Sequence, residues 1–501
     1  MLFFLISFCF SLFLVIYLII REIYIRSLIY RFKVPYPTDF SWSTLGLFSF
    51  GYRSRDNWMH CINHQIHRIR LKWRRYPIFA IISGTGPVSQ LFTSLVVTDN
   101  NMIKQIMSDN ESFPKPKSHG IYQIMHRESC TSANGAEMTR QREILTKIFG
   151  YFVANSSRNI INLHAQHFCQ WIANQIQKRD TDTIDFAKSY SYLSADLIIE
   201  LVLGKEFLIG HPNFQKQFLE FWDLLRLPSP NGREIMLIHE KFDEMRCQLE
   251  PSVFNYEQKQ AEQNEETKCN CLLDYLMEQT TEYNRVLNTE TEFSHYEIIH
   301  NLWSFLVAGF ETVAGTLTLT TYHLAKHPKY LESLRKECFE REKEPFLIFQ
   351  RPYLWNFIRE TLRLYPPVLN MPRVTTNNGC PFGFGVSKGT HILPDILSPH
   401  LDKNVFRDPL KFRPERWERC DSRMSEHFWA FGGGKKPCLG RYLGLMEIGI
   451  VLTRILMSDY QFQLPKGYKL EIAQTPTIRV MNGLPLYVTC NKTQAHSHGS
   501  L

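Results

Sequence analysis

The chain has 501 residues, 44% of them hydrophobic, and its 57 basic and 49 acidic residues give a formal net charge of +8. This size provides a large core and excludes a small secreted disulfide scaffold. No internal repeat or long flexible linker follows the first forty residues, so we predict one large domain behind a short amino-terminal segment. The positive charge suits a membrane surface or an acidic protein partner. The basic residues are scattered along the sequence instead of forming tracts, as is also typical of ordinary surface charge. We therefore predict no nucleic-acid partner.

The amino terminus is an uncharged apolar run from Leu2 to Ile20. About 20 apolar residues cross the hydrocarbon of a bilayer as a helix. We therefore predict a transmembrane anchor over residues 1–20. A basic, proline-containing linker over residues 21–38 follows, and its charge predicts that the rest of the chain faces the cytosol. A cleaved signal peptide is the alternative, although the usual basic start is missing.

The globular domain is predicted over residues 39–491, and a disordered tail over residues 492–501. The chain contains 12 cysteines but no CxxC pair, and Cys269 and Cys271 form a lone CxC. This spacing argues against a zinc framework. Most of the cysteines are therefore predicted to be reduced, buried and apolar in character.

A long helix is predicted in the middle of the chain. Ser294 and Glu297 have the spacing of a capping box, and Pro328 follows His327. A helix between these points is about 50 Å long at about 1.5 Å per residue. Its stretch over residues 302–324 is nearly uncharged, which predicts a helix buried on all sides.

One acid lies inside this apolar stretch, in the order Ala308, Gly309, Phe310, Glu311, Thr312. A buried carboxylate is costly unless it is paired or protonated. Gly309 lacks a side chain and is predicted to let a ligand approach the helix, where Glu311 and Thr312 deliver protons to it. The alternative is structural: the glutamate pairs with a basic residue and the threonine bonds back to its own helix. Both interpretations stay open at this point.

Three consecutive glycines, residues 432–434, lie shortly before Cys438, and an apolar helix is predicted from Arg441 to Met457. A cysteine at a helix amino terminus feels the positive end of the helix dipole, which favours the thiolate that a soft metal ligand requires. The loop therefore favours metal ligation by Cys438. Phosphate binding and a reactive thiol are the alternatives, although the GxxxxGK[ST] order of a phosphate loop is absent.

These two regions together resemble the cytochrome P450 family, in which a cysteine thiolate holds the haem iron. The family loop, Phe-x-x-Gly-x-Arg-x-Cys-x-Gly, is matched with one lysine in place of the arginine by Phe431, Gly434, Lys436, Cys438 and Gly440. The family pattern of the long helix is matched by Ala308, Gly309, Glu311 and Thr312.

Two further family motifs lie between these regions, Glu360-x-x-Arg363 and Phe412-x-Pro-x-Arg416. The i,i+3 spacing places Glu360 and Arg363 on one helix face. Alone, such a pair is a surface ion pair worth under about 1 kcal/mol. In the family it is joined by the arginine of the second motif. The four motifs in this order are highly specific, and the resemblance extends from the anchor to about Val488.

The chain departs from the family pattern near the haem propionates. The family commonly has a tryptophan and an arginine four residues apart on an earlier helix, and here Met138 precedes Arg142. Lys436 offers a point charge where arginine offers a bidentate fork. The resemblance implies Arg373 as a third propionate partner.

The resemblance implies a mostly α-helical P450 fold with a small β region, and haem b between the long helix and the Cys438 loop. It implies a monooxygenase that inserts one oxygen atom from O2 into a lipophilic substrate. Electrons come from NADPH through a flavin reductase, with cytochrome b5 as a further candidate partner. Thr312 would hold oxygen and a relay water, and Glu311 would pass protons inward. The implied location is the endoplasmic reticulum membrane, single-pass, with the catalytic domain facing the cytosol.

Two other functions remain as alternatives. One is a haem-thiolate isomerase or dehydratase that acts on lipid peroxides without O2 or a reductase. Its relatives often lack the acid–alcohol pair, so Glu311 and Thr312 argue against it. The other is a non-catalytic haem or lipid-binding protein, in which that pair would be idle.

Positive charges near the cysteine loop are predicted to steer an acidic reductase toward the sulfur side. The candidates are Lys435, Lys436, Arg441 and Arg140. Segments near residues 115–125 and 207–238, which are rich in aromatic and aliphatic side chains, are predicted to wall the substrate pocket.

Overall fold

A computed structural model of the protein describes most of the predicted globular domain. The described residues are 78–83, 92–116, 125–178, 183–226, 232–256, 270–278, 293–342, 348–378, 386–474 and 477–490. The predicted anchor over residues 1–20, the linker over residues 21–38 and the tail over residues 492–501 lie outside these residues.

Helices make up most of the described chain. They are α1 Asn100–Ser108, α2 Gly135–Asn155, α3 Ser157–Lys178, α4 Phe186–Leu203, α5 Lys205–Gly210, α6 Phe214–Leu225, α7 Gly232–Phe254, α8 His295–Lys326, α9 Leu331–Glu340, α10 Pro352–Leu364, α11 Leu397–His400, α12 Ser422–Glu426 and α13 Arg441–Met457. The strands are β1 Ile78–Ser83, β2 Phe92–Val97, β3 Ile184–Asp185, β4 Arg373–Val374, β5 His391–Pro394, β6 Tyr460–Gln463, β7 Ile472–Gln474, β8 Ile478–Val480 and β9 Pro485–Cys490.

The chain divides into two compact units. Of the described residues, the smaller unit comprises those up to residue 116 and those within 370–399 and 432–436, and the larger unit comprises the rest. The described sheet of the smaller unit has the strand order β1-β2-β5-β4. In it β1 and β2 are antiparallel, β2 and β5 are parallel, and β5 and β4 are antiparallel.

The larger unit is built around α8. The Ser294 side chain accepts the Glu297 N–H and the Glu297 side chain accepts the Ser294 N–H, so the predicted capping box is confirmed. Of the described helices, α8 alone has the length and hydropathy of a membrane span. Most of it is buried inside the protein, and it is therefore a core helix.

Helix α4 packs closely against α8. The Ser194 hydroxyl donates to the Phe310 carbonyl at 2.8 Å, and the hydroxyls of Tyr190 and Thr321 are 2.8 Å apart. Both contacts are buried, so these hydroxyl groups have partners inside the helix pair. The two helices therefore pack together in the core of the larger unit.

Small sheets lie at the edge of the larger unit. Strand β9 pairs antiparallel with β3 and β6, and β7 pairs antiparallel with β8. Strand β8 approaches α8 at Gly315, where an added Cβ would lie 2.9 Å from the Ile478 carbonyl oxygen. This close approach brings the side chains of β8 near the middle of α8.

Candidate functional site

Cys438 lies in the turn that precedes α13. Its backbone N–H donates to the Phe431 carbonyl at 2.8 Å, and the Gly440 N–H donates to its sulfur. Helix α13 begins at Arg441 and ends at Met457, as predicted. Further along α13, Gly444 faces α8. A Cβ added at Gly444 would lie 3.9 Å from Cγ2 of Val313. The turn that contains Cys438 therefore leads directly into α13, which packs against α8 at Val313, the residue after Thr312.

The thiol of Cys438 is densely surrounded by protein atoms, although the residue keeps an exposed surface. Burial raises the pKa of the Cys438 thiol, while the Gly440 N–H and the charges of Arg142 and Arg441 lower it by less. The Gly440 N–H thus acts in the predicted direction, toward the thiolate, but burial of the thiol outweighs it. A coordinating metal ion is what deprotonates such a thiol.

Basic side chains surround the turn. Arg142, on α2, donates through Nη2 to the Pro437 carbonyl at 2.7 Å. The Arg441 guanidinium lies 5.4 Å from the centre of the Phe431 ring. Its Nε is buried and has no hydrogen-bond partner among the described residues. Met138, one turn before Arg142, is buried, so the family's tryptophan position is filled by an apolar side chain.

In the smaller unit, Gly434 has φ +66° and packs against the end of α1. A Cβ at this position would lie 2.1 Å from the Met107 carbonyl oxygen. Both the backbone angle and the close approach therefore require glycine. Lys436, in the same segment, is buried rather than exposed.

Arg373, also in the smaller unit, is a buried cation. Its Nη1 donates to the Pro372 carbonyl at 2.9 Å, and its Nε has no partner among the described residues. Burial lowers the pKa of Arg373 to about 10, and no carboxylate opposes this effect. A buried guanidinium without an acid is costly, so Arg373 fits a site that receives an anionic group.

Glu360 is the centre of a buried ionic network. It accepts hydrogen bonds from Arg363 Nε at 2.8 Å, Arg416 Nε at 3.0 Å and Trp417 Nε1 at 3.0 Å. The side chains of Glu360 and Arg363 are both 0% exposed. The pair is therefore no surface ion pair, and it joins α10 to the segment that contains Arg416.

The same network extends to His400. Arg363 Nη1 donates to the His400 carbonyl at 2.8 Å, and the His400 Nδ1–H donates to the Arg363 carbonyl at 2.9 Å. The other ring nitrogen accepts the Trp429 N–H at 2.7 Å, which requires a neutral ring. Burial, with the nearby charge of Arg363, lowers the pKa of His400 to about 3.

Acidification below pH 6.5 is expected to destabilise the protein through His400. The unfolded chain binds a proton there near pH 6.5, whereas the folded protein does so only near pH 3. Stability from this residue is complete above pH 6.5 and falls by about 1.4 kcal/mol per pH unit below it. Denaturant unfolding between pH 7 and pH 4 measures the slope, which should decrease by that amount in His400→Gln. The matched control is His295→Gln, an exposed histidine, and equal slopes in His400→Gln and the wild type would contradict the assignment.

Both Glu311 and Thr312, the acid and the alcohol of α8, make hydrogen bonds within the protein. Arg226 donates to one oxygen of Glu311, from Nε at 2.9 Å and from Nη2 at 2.7 Å. The Thr312 hydroxyl donates to the Ala308 carbonyl at 2.6 Å. These are the contacts of the structural alternative raised from the sequence. Arg226 lies 85 positions from Glu311 along the chain, and no local pattern points to it.

Gly309 serves packing rather than ligand access. A Cβ at Gly309 would lie 2.4 Å from Cδ1 of Ile198 on α4. The expectation that its missing side chain makes room for a ligand is therefore wrong, because Ile198 fills that space. The glycine allows α4 and α8 to approach closely.

Gly309→Ala is expected to lower stability by about 1–3 kcal/mol, because the new methyl group overpacks the helix interface. The loss should appear although alanine is the better helix former by about 1 kcal/mol. Gly150→Ala is the matched control, since a Cβ there meets nothing within 4 Å. Thermal or urea unfolding should show Gly150→Ala unchanged or stabilised. In the Ile198→Ala background, Gly309→Ala should cost less stability than in the wild type. An equal cost in both backgrounds would show that Ile198 is not the side chain that the new methyl group meets.

Two of the predicted docking charges are not free surface cations. Arg140 donates to Glu137 at 2.7 Å and also to Glu297, the capping residue of α8. Lys436 is only 7% exposed. Lys435 is exposed and Arg441 is partly exposed. These two of the four predicted docking residues therefore remain candidates for contact with a reductase.

The aromatic side chains predicted to wall a pocket lie in the core where the structure describes them. Phe214, Phe218 and Phe221 of α6 are fully buried, and the Phe218 ring packs at 5.3 Å from the Phe310 ring. These three rings therefore pack α6 against α8, while Leu219 of the same helix lines a cavity. Of the other predicted wall, residues 117–124 lie outside the described part of the chain.

Within the described residues, no group of three or more His, Cys, Asp or Glu side chains is placed to hold a metal ion. A cysteine turn before a buried helix, a second buried helix with an acid–alcohol pair and a buried Glu-Arg-Arg network are the features of a haem-thiolate protein. The predicted mostly α-helical fold with a small β region is confirmed.

Comparison with known proteins gives the family. The sequence model of cytochrome P450 matches residues 74–490. The chain is similar to a putative cytochrome P450, CYP13A7, of Caenorhabditis elegans, at 35% identity over 196 residues, or 37% of each chain. It is 25% identical to cytochrome P450 709B1 of Arabidopsis thaliana over 81% of this chain and 80% of that one. The match to the first relative thus spans well under half of that protein.

The fold agrees with this comparison. A solved structure of a retinoic acid-bound cyanobacterial CYP120A1 superposes with a TM-score of 0.70, covering 84% of this chain and 93% of that chain at 19% identity. The chain belongs to the cytochrome P450 family, whose chemistry is in general that of haem-thiolate monooxygenases.

Proposed function

We propose that the protein is a haem-dependent monooxygenase that inserts one oxygen atom from O2 into a lipophilic substrate. The family match across residues 74–490 carries this proposal, because it contains the Cys438 turn and the acid–alcohol pair of α8. We propose that a flavin reductase supplies electrons from NADPH, with cytochrome b5 as a second donor. The presence of Glu311 and Thr312 disfavours the isomerase and the non-catalytic binder.

Cys438 is the proposed ligand of the iron of haem b. The bound haem supplies the oxygen chemistry, toward which the thiolate pushes electron density. Arg142 and Arg441 place positive charge beside the sulfur in the larger unit. In the smaller unit, the buried guanidinium of Arg373 suits a carboxylate such as a haem propionate. Lys436 is the second proposed propionate partner of that unit.

The remaining work of the chain is to hold and move protons. Thr312 is proposed to turn its hydroxyl from the Ala308 carbonyl toward the reacting side of α8 and to hold a relay water there. Glu311 is proposed to supply the proton. A positioned acid of this kind contributes about 10²–10⁴ in rate. Phe431, Gly434, Gly440, Ala308 and Gly309 are proposed to shape the site through backbone conformation and packing.

We propose that the protein is anchored in the endoplasmic reticulum membrane by residues 1–20, with the catalytic domain in the cytosol. The apolar run at the amino terminus and the basic residues after it support this location. A substrate that partitions into lipid would then reach the protein from the membrane side.

The test of the proposed function is consumption of NADPH and O2 by the purified protein with added reductase. A monooxygenase consumes both and incorporates labelled oxygen into a lipophilic product. An isomerase converts a lipid hydroperoxide without O2 or reductase, and a binder does neither. Cys438→Ala is the matched control and should eliminate consumption above the rate of reductase alone.

A further inference from the structure

A groove of about 690 Å³ lies between α3 and α4 in the larger unit. Side chains of α3 spaced by four and three residues line one wall, and side chains of α4 spaced by four residues line the other, so each helix contributes a single face. They include His164, Phe168 and Trp171 of α3 and Lys188, Tyr192 and Asp196 of α4. Small-molecule sites have volumes of about 300–1,000 Å³. Of the described lining residues, none belongs to α8 or to the Cys438 turn.

The groove has two chemically different ends. His164 Nε2 lies 2.7 Å from Glu200 Oε2, and further along α3 the Phe168 ring packs at 5.3 Å from the Tyr190 ring. Positions that increase along α3 thus face positions that decrease along α4, so the two helices run antiparallel. One end of the groove is therefore at His164 and Asp196, and the other lies toward the end of α3 and the start of α4.

Asp196 is an open carboxylate at the first end. Its side chain is partly buried and makes no hydrogen bond to any described residue, whereas the neighbouring Glu200 is already paired with His164. Burial raises the pKa of Asp196, and the charge of His164 lowers it by less, while the charge of Glu200 adds to the increase. A cation placed beside Asp196 would stabilise its charged form.

Aromatic rings line the groove next to this carboxylate. Phe168 is only 7% exposed, and the Trp171 ring stacks on it with the centroids 5.7 Å apart. Trp171 and Tyr192 are 38% and 47% exposed, so ring surface remains open to a ligand. At about 1.5 Å per residue, Tyr192 lies about 6 Å along α4 from Asp196. Apolar surface therefore begins one helical turn away from the charge.

The other charged groups of the lining do not cancel that of Asp196. Lys188 lies eight residues earlier on α4, which is about 12 Å along the helix and more than the screening length of about 8 Å at physiological salt. The Asp185 carboxylate already accepts the N–H groups of Ala187 and Leu484. The groove thus favours a positive group at the Asp196 end only.

We propose that this groove binds a small organic cation, whose tertiary or quaternary ammonium group meets the Asp196 carboxylate and whose flat apolar body lies along Phe168, Trp171 and Tyr192. Carboxylates attract such cations by charge, and aromatic faces attract them through the ring quadrupole. A neutral ligand would leave Asp196 without a counter-charge. The site is separate from the Cys438 turn and goes beyond the proposed function, so either can fail without the other.

The test is binding of 4-phenylbutyltrimethylammonium to the full-length haem protein, measured by calorimetry at pH 8. A quaternary nitrogen has no lone pair, so the probe cannot ligate the iron, and the Soret band should not move as the groove fills. The carbon isostere, with tert-butyl in place of trimethylammonium, should bind about tenfold more weakly. Asp196→Asn and Trp171→Leu should each weaken binding of the cation by a similar factor.

Two variants outside the groove are the matched controls. Asp243→Asn replaces an exposed aspartate of α7, and Tyr151→Leu replaces an exposed ring of α2. Both should bind the probe as the wild type does. The proposal would be overturned by an absence of saturable binding at millimolar probe, or by equal affinity for the isostere. Undiminished binding in Asp196→Asn/Trp171→Leu would also overturn it. A wild-type dimer that Trp171→Leu dissociates would instead assign the groove to a second copy of the chain.

Discussion

Replacing Cys438 by Ala is expected to abolish the thiolate-type Soret band of the reduced protein with carbon monoxide. That band requires a sulfur ligand on the iron, and Cys438 is the cysteine that lies in the family loop before α13. A nitrogen or water ligand in its place would move the band to the position seen with ordinary haem proteins. The measurement is the difference spectrum of reduced protein with and without carbon monoxide, scaled to the haem content of each sample.

Cys247→Ala is the control for this experiment. Cys247 is an exposed free cysteine on α7, outside the family motifs, and its replacement should leave the band intact. A wild-type protein that carries no haem, or a Cys438→Ala protein that keeps the thiolate band, would contradict the assignment of the ligand.

Replacing Glu360 by Ala is expected to prevent accumulation of folded protein. The substitution removes the acceptor of Arg363, Arg416 and Trp417, and leaves the fully buried Arg363 guanidinium without a counter-charge. Breaking a buried pair in this way costs about 3–5 kcal/mol, which is a large part of the about 5–15 kcal/mol of stability of a typical domain. Soluble yield, haem content and the denaturant midpoint measure the effect.

The control is Glu340→Ala at the end of α9. Oε1 of Glu340 lies 3.9 Å from Nζ of Lys336, and both side chains are more than half exposed. An exposed i,i+4 pair contributes about 0.3–0.5 kcal/mol, so this variant should unfold at nearly the wild-type midpoint. Similar losses in both variants would show that burial of the Glu360 network is not what makes it important.

Local patterns in the sequence predicted the elements that carry the site. The capping box of Ser294 and Glu297 marks the start of α8, because its two hydrogen bonds join residues only three positions apart. The apolar run after Gly440 predicts α13, whose bounds agree with the structure. The i,i+3 spacing of Glu360 and Arg363 also predicts their contact. In each case the physical cause acts within one or two turns of helix.

The partners of several site residues were not predictable in this way. Trp417 and His400 complete the Glu360 network from distant segments, and Met107 in the smaller unit fixes the need for glycine at position 434. The family motif pointed to Arg416, but the bare spacing of its residues did not show that the network is buried. These contacts depend on which surfaces meet when the chain folds.

The sequence by itself determined the helical class, the position of the long buried helix and the cysteine that precedes α13, since hydrophobic periodicity, capping and turn residues act locally. Only the tertiary structure decided how the buried groups are satisfied. It paired Glu311 with Arg226, and it gave the space beside Gly309 to Ile198. It also surrounded Cys438 with enough protein to raise the thiol pKa. The reason is that desolvation and packing depend on neighbours far away in the chain, which no local spacing specifies.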